Sequence, residues 1–190
     1  MGKEVSRERA TVSGELLQIF GLGVLIIGDS GIGKSECALE LISRGHRFAS
    51  DDVVHIHKRS DGRMAGKSPS LSRYFMEIRG LGIINIKEIF GPKSISRQTI
   101  VDLVVQLKKW HRKKEYDRLG LEFPGDYKIL GIEIPRINIP VAPGRNIATL
   151  IEVACKVQIL RKKGYHATQE IVERLDRLLK TKNSQKRSRK

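Results

Sequence analysis

The spacing of apolar positions changes period several times along the chain, and each change marks an element. Residues 11–20 read as one strand, with Val12, Leu17 and Ile19 on one face and Gly21 ending it. Gly23-Val24-Leu25-Ile26-Ile27 is an unbroken, β-branched apolar run, the pattern of a buried strand. Residues 34–44 switch to helical spacing, and Gly45 stands where a helix C-terminus ends. Val53-Val54-His55-Ile56-His57 alternates as an exposed strand that is expected to run beside the buried one. Ser60-Asp61-Gly62 is a turn, and residues 63–76, with Pro69, are expected to hold a strand, a loop and a short helix. Residues 86–90 suit a short helix ending at Gly91, and residues 98–108 a strand carrying Ile100, Leu103, Val105 and Leu107. Residues 129–139 give one or two short strands around Pro135, and Pro140 to Asn146 is a rigid turn. Two amphipathic helices follow. Residues 147–161 end near Gly164, and residues 166–180 are N-capped by Thr168 with Ile171, Leu175, Leu178 and Leu179 turned inward. With no internal repeat and no linker, the class is α/β: one domain over 11–180 with a mainly β centre, a flexible extension at 1–10 and a basic, disordered tail at 181–190.

The junction of the buried strand and the first helix carries the strongest chemical signal. Gly28-Asp29-Ser30-Gly31-Ile32-Gly33-Lys34-Ser35 is a complete G-x-x-x-x-G-K-S/T loop, with a strand before it and a helix after it. Backbone N–H groups of such a loop ring a phosphate, and the helix N-terminus adds positive potential. Lys34 reaches the terminal phosphates and Ser35 offers its hydroxyl to Mg²⁺. A merely structural turn is a poor alternative, because Gly33 weakens the first helical turn and Lys34 sets a cation at the positive end of the dipole. The loop implies a nucleoside triphosphate or another polyphosphate; it does not say what receives the phosphoryl group.

Composition narrows the setting. A length of 190 residues suits one domain with a proper core, and no apolar run approaches the ~20 residues that span a bilayer. The charged start, Met1 to Arg9, lacks the apolar stretch of a signal peptide. Cys37 and Cys155 are isolated in helical apolar patterns and read as small core residues, without zinc spacing. The expected compartment is the cytoplasm. The net charge of +15 favours anionic partners, but the few aromatics are not interleaved with basic residues, so the expectation is no nucleic acid and no membrane.

Two further groupings could complete phosphoryl transfer. Asp51-Asp52 follows the helix, and paired carboxylates there can divide metal binding from proton transfer; a solvated acidic turn has the same look. Glu77 and Arg79 lie on one side of an extended segment, before Gly80 and Gly82, whose spacing among charged and apolar residues suggests close backbone approach. A carboxylate there can ligate Mg²⁺ and a guanidinium can clamp phosphate, although a surface salt bridge would use the same pair. Arg118 and Arg145 are weak signals alone, and the five histidines show no ligand spacing.

Taken in order, these segments resemble HPr kinase/phosphorylase. The run from Gly23 to Asp52, Glu77-Ile78-Arg79-Gly80-Leu81-Gly82-Ile83-Ile84-Asn85, Tyr116-Asp117-Arg118-Leu119-Gly120 and Pro140-Val141-Ala142-Pro143-Gly144-Arg145-Asn146 all match that family's pattern, over roughly residues 11–180. The resemblance implies a P-loop domain of the HPr kinase and phosphoenolpyruvate carboxykinase type, a hexamer. It implies an enzyme that phosphorylates a regulatory serine of the phosphocarrier protein HPr with ATP or pyrophosphate, and reverses this by phosphorolysis. It makes Asp51 the general base and acid, with Asp52 assisting. Gly28 to Ser35 and Arg79 would hold the phosphates, Ser35 and Glu77 the Mg²⁺, and Arg118 would be an active-site residue. Pro140 to Asn146 would influence the reverse reaction, and helix 166–180 would help present the protein substrate.

Two departures qualify this. The family usually carries His-Gly before the loop strand, where this chain has Ser13-Gly14; serine still hydrogen-bonds phosphate but brings no charge and no titration near neutral pH. The long family form also has a domain before this region, so regulation carried by it is an open expectation. Two other readings stand beside the resemblance. One is a small-molecule kinase on the same scaffold. The other is a nucleotide-binding regulator without catalysis, which Ser13 motivates and the intact Lys34, Ser35, Asp51, Asp52 and Glu77 oppose.

Overall fold

The computed structural model describes residues 9–110 and 125–187, with side chains as far as Lys180. Arg118 lies outside the described residues. The elements in chain order are β1 (Arg9–Ser13), β2 (Glu15–Ile19), β3 (Leu22–Gly28), α1 (Lys34–Ser43), β4 (Arg47–Ser50), β5 (Val53–Lys58), β6 (Met64–Lys67), β7 (Phe75–Ile78), β8 (Gly82–Asn85), α2 (Ile86–Phe90), β9 (Thr99–Ile100), β10 (Leu103–Lys109), β11 (Tyr127–Ile129), β12 (Ile132–Ile134), β13 (Arg136–Val141), α3 (Ile147–Lys162) and α4 (Ala167–Arg187).

A five-stranded sheet in the order β13-β10-β3-β2-β4 forms the centre, and a four-stranded sheet, β1-β5-β6-β9, packs on one of its faces. β13, β10 and β3 are parallel, while β2 is antiparallel to β3 and to β4. Period-two alternation along β2 and β3 sorts the core into two clusters. Leu17, Val24 and Ile26 face α1 and α3, in company with Leu41, Phe48, Ile151 and Cys155. Leu16, Leu25 and Ile27 face the second sheet, with Val54, Ile56, Met64 and Val101. Both cysteines are core residues, and burial pushes each thiol up to about 12.

Several sequence expectations change. Residues 11–20 are two strands in different sheets, broken at Gly14. A Cβ at Gly14 would stand 2.5 Å from the Ile26 carbonyl oxygen, so only glycine lets the chain cross from one sheet to the other this close to β3. Residues 98–108 divide in the same way into β9 and β10. The strand after Asp51-Asp52, β5, does not lie beside β3; it joins the second sheet against β1 and β6, and β2 takes the place next to β3. Residues 71–74 form a turn where a short helix was expected, and the β7–β8 hairpin follows.

The last helix differs most. α4 begins at Ala167, which puts Thr168 inside its first turn, and it runs past Lys180 into the basic segment. Ile171, Leu175, Leu178 and Leu179 are not inward: they are 51–65% exposed, since among the described residues no element packs over that face. Among the described residues no helix is long and apolar enough to cross a membrane.

Candidate active site

The phosphate loop links β3 to α1 at the carboxyl edge of the parallel strands, where α/β sheets open a crevice for ligands. Gly31 and Gly33 hold positive φ angles of 73° and 96°, which turn the loop's backbone back over the helix end. Ile32 is its buried anchor, and Asp29, Ser30 and Gly31 form the exposed rim. Asn85 and Asn146 cap α2 and α3 with their side chains, whereas no side chain caps α1. The first N–H groups of α1 therefore face the loop's hollow without a side-chain acceptor, the arrangement that receives an anion. Lys34 Nζ donates to the carbonyls of Gly28 (3.0 Å) and Asp29 (3.2 Å), so its ammonium stays over that hollow. The Arg79 guanidinium approaches from the β7–β8 hairpin, its nitrogens 3.7 and 3.8 Å from where a Gly31 Cβ would be.

The carboxylates gather where the chain crosses between the two sheets. It crosses once at Gly14 and returns at Asp51-Asp52, and the Gly14 N–H donates to the Asp52 carbonyl at 2.9 Å, tying the crossings side by side. Asp52 takes a left-handed φ of 55°, a conformation that aspartate tolerates better than most residues and that marks a constrained position. Its Oδ1 receives the Ser13 hydroxyl at 3.4 Å. Asp51 points the other way. Its Oδ2 accepts the Glu77 N–H at 2.9 Å, while its Oδ1 is buried with no hydrogen-bond partner. The Asp51-Asp52 pair is thus a structured crossing, with Asp51 half-buried and Asp52 exposed. The acidic partner of Asp51 in this crossing is its neighbour on β2 as much as Asp52.

That neighbour, Glu15, is the residue that sequence reading missed. It is 1% exposed, at the head of β2, paired in register with Ile26 of the loop strand. Ser35 Oγ donates to its Oε1 at 3.2 Å, and its Oε2 is buried without a partner. Burial pushes the Glu15 carboxyl well above the usual range. The adjoining Asp51 carboxyl pushes the same way, and Ser35 and Lys34 pull it back in part. The available signal was a single acidic residue opening a mostly apolar strand just before the phosphate-loop strand. Glu77 and Arg79 serve separately: Glu77 through its N–H on Asp51, Arg79 at the loop. Arg145 donates to the Pro140 carbonyl (2.9 Å) and lies over the Trp110 ring (5.7 Å), a structural use that closes the turn after β13. Because β13 is parallel to β10 and β10 to β3, that turn stands at the same sheet edge as the loop.

A hydroxyl at Ser35 and two orphaned carboxylate oxygens are hard donors that fit Mg²⁺. Among the described residues no three acidic, histidine or cysteine side chains gather at one point, so the arrangement suits an ion that brings ligands of its own, as phosphate-bound Mg²⁺ does.

Comparison with known proteins gives the family. Residues 4–175 match the family described as HPr Serine kinase C-terminal domain. The HPr kinase/phosphorylase of Thermoanaerobacter sp. (strain X514) is 48% identical over 166 residues, covering 87% of this chain and 54% of that protein. The HPr kinase/phosphorylase of Geobacter sulfurreducens is 49% identical over 164 residues, covering 86% and 51%. The chain therefore spans about half the length of these curated relatives. A solved structure, described as the Hpr(Ser) kinase/phosphatase from Coxiella burnetii, superposes with a TM-score of 0.75 at 35% identity over 85% of this chain and 98% of that one.

Proposed function

This chain belongs to the HPr serine kinase C-terminal domain family, and from that premise we propose that it phosphorylates a regulatory serine of HPr, with ATP or pyrophosphate as donor, and removes the group by phosphorolysis. The observation that carries this reading is Asp51: one carboxylate oxygen is fixed by a backbone N–H and the other is buried beside the phosphate loop with no donor of its own. A carboxylate so held is ready for a proton from a hydroxyl placed at the loop. In the forward direction the serine oxygen bonds to the terminal phosphorus as the bond to the leaving ADP or phosphate breaks, and the serine proton passes to Asp51. In reverse, an oxygen of inorganic phosphate attacks the phosphoserine, pyrophosphate leaves, and Asp51 returns its proton to the serine oxygen.

Lys34, the N–H groups at the start of α1, Arg79 and Arg118 carry the negative charge of the transferring group. Ser13 keeps Asp52 in place. Mg²⁺, held by Ser35 and Glu77, would screen the phosphates and align the donor. A homohexamer is supported by the apolar stripe of α4, which no element among the described residues covers, and the compartment that follows for such a substrate is the cytoplasm. The test is transfer of labelled phosphate to HPr from ATP and from pyrophosphate, with release on adding inorganic phosphate. Asp51→Asn is expected to lower both directions by about 10²–10⁴-fold. Nucleotide binding with no transfer in the parent protein would favour the regulator reading instead.

A further inference from the structure

We propose that Glu15 is a divalent-cation ligand of the phosphate loop, acting beside Ser35, and that this leaves Asp51 free to handle the proton. The proposal rests on the phosphate-loop reading above. Three observations carry it. Glu15 is 1% exposed and its Oε2 is buried with no donor, an arrangement that costs stability unless something positive meets it. Its Oε1 already accepts the hydroxyl of Ser35, the residue whose oxygen the loop offers to a metal. Its neighbour in the crossing, Asp51, presents a second buried oxygen without a partner, and the two acidic side chains are in contact. Carboxylate oxygens that meet without a donor need a cation or a proton between them.

The topology supports the same assignment. In P-loop proteins the loop's Ser or Thr shares its ion with an acidic group from elsewhere in the sheet. Here β2 lies directly beside the loop strand, and Glu15 is in register with Ile26, just before Gly28. A carboxylate at this place reaches the ion from the sheet side, while the phosphates reach it from the loop side. One or two carboxylates with phosphate and water are what Mg²⁺ takes in such sites. Asp51 has one oxygen on the Glu77 N–H, and with Glu15 on the ion its other oxygen need not serve as a metal ligand, so metal binding and proton transfer fall to different residues.

The experiment uses Mn²⁺ as the probe, with the β,γ-imido analogue of ATP, and reads bound ion by electron paramagnetic resonance, not by turnover. In Glu15→Gln, which keeps size and hydrogen-bonding shape, Mn²⁺ affinity is expected to fall about 10-fold or more. Nucleotide affinity without metal should stay unchanged, and ¹⁷O-water broadening should count one more water on the ion. Glu15→Asp, which retains a carboxylate, should recover part of the affinity. Thermal melting of both variants without metal controls for folding. Unchanged Mn²⁺ affinity and water count in a folded Glu15→Gln would overturn the proposal and leave Glu15 as a buried partner of Asp51. Failure of the parent protein to bind Mn²⁺ with nucleotide at all would instead overturn the phosphate-loop reading itself.

Discussion

Ser13 and Glu15 are separated by one glycine, yet they serve different carboxylates: Ser13 donates to Asp52, and Glu15 meets Asp51 and Ser35. The hydroxyl at 13 stands where the family resemblance implies a histidine, and it offers no charge to an incoming phosphate. Ser13→His is therefore expected to raise phosphorolysis relative to kinase activity, measured as the ratio of the two initial rates on HPr. An unchanged ratio would mean that Asp52 and its surroundings already supply what the ring would. The chemistry at this scale was partly legible. Gly28 to Ser35, Asp51, Asp52 and Arg79 stood out in the sequence by type and spacing, and the structure places Arg79 at the loop and Asp51 on the Glu77 N–H. Glu15 could not, since its meaning depends on strand register with Ile26 and on a crossing that local pattern does not reveal.

The elements that hold the loop steady are α1 and α3. At their junction Arg44 bonds Glu152, Thr149, Asn146 and Glu40, and the buried His46 adds a bond to Glu152 at 2.8 Å. Asn146 is the hub, because it caps α3 through the Thr149 N–H at 2.8 Å and also donates to Glu40 at 2.8 Å. Asn146→Ala should lower unfolding free energy by about 1–2 kcal/mol, read from urea melts, with nucleotide affinity changing less than stability. A loss below a few tenths would show that the cap is replaced by water. Helices α1, α2 and α3 and the loop strand were readable from period and the glycines that follow the helices. The strands at 11–20 and 98–108 were not divided correctly, because Gly14 separates β1 from β2 for a reason that lies in the Ile26 carbonyl, far along the sequence. β5 was misplaced on the same ground: alternation reports an exposed face but not which sheet owns the strand.

At the level of the whole molecule, two sheets share one inner core and α4 stands apart with an uncovered apolar stripe. Amphipathic spacing showed the helix but not its partner, since inward has no meaning until the assembly is known. Leu175 and Leu178 are 53% and 65% exposed, so replacing both with Lys should leave the circular dichroism of the fold intact and shift sedimentation toward the monomer. No shift would remove α4 from the assembly contact. The seam at Gly14 has a consequence of another kind. The segment that holds Ser13 against Asp52, and Glu15 against Ser35, is also the stitch joining the two sheets. Opening the seam dismantles the candidate site, and on the proposed function an occupant of that site would fasten the seam, so a bound nucleotide would double as a brace for the architecture. The solvent exchange of one amide, that of Gly14, would then gauge how tightly the two crossings are held together.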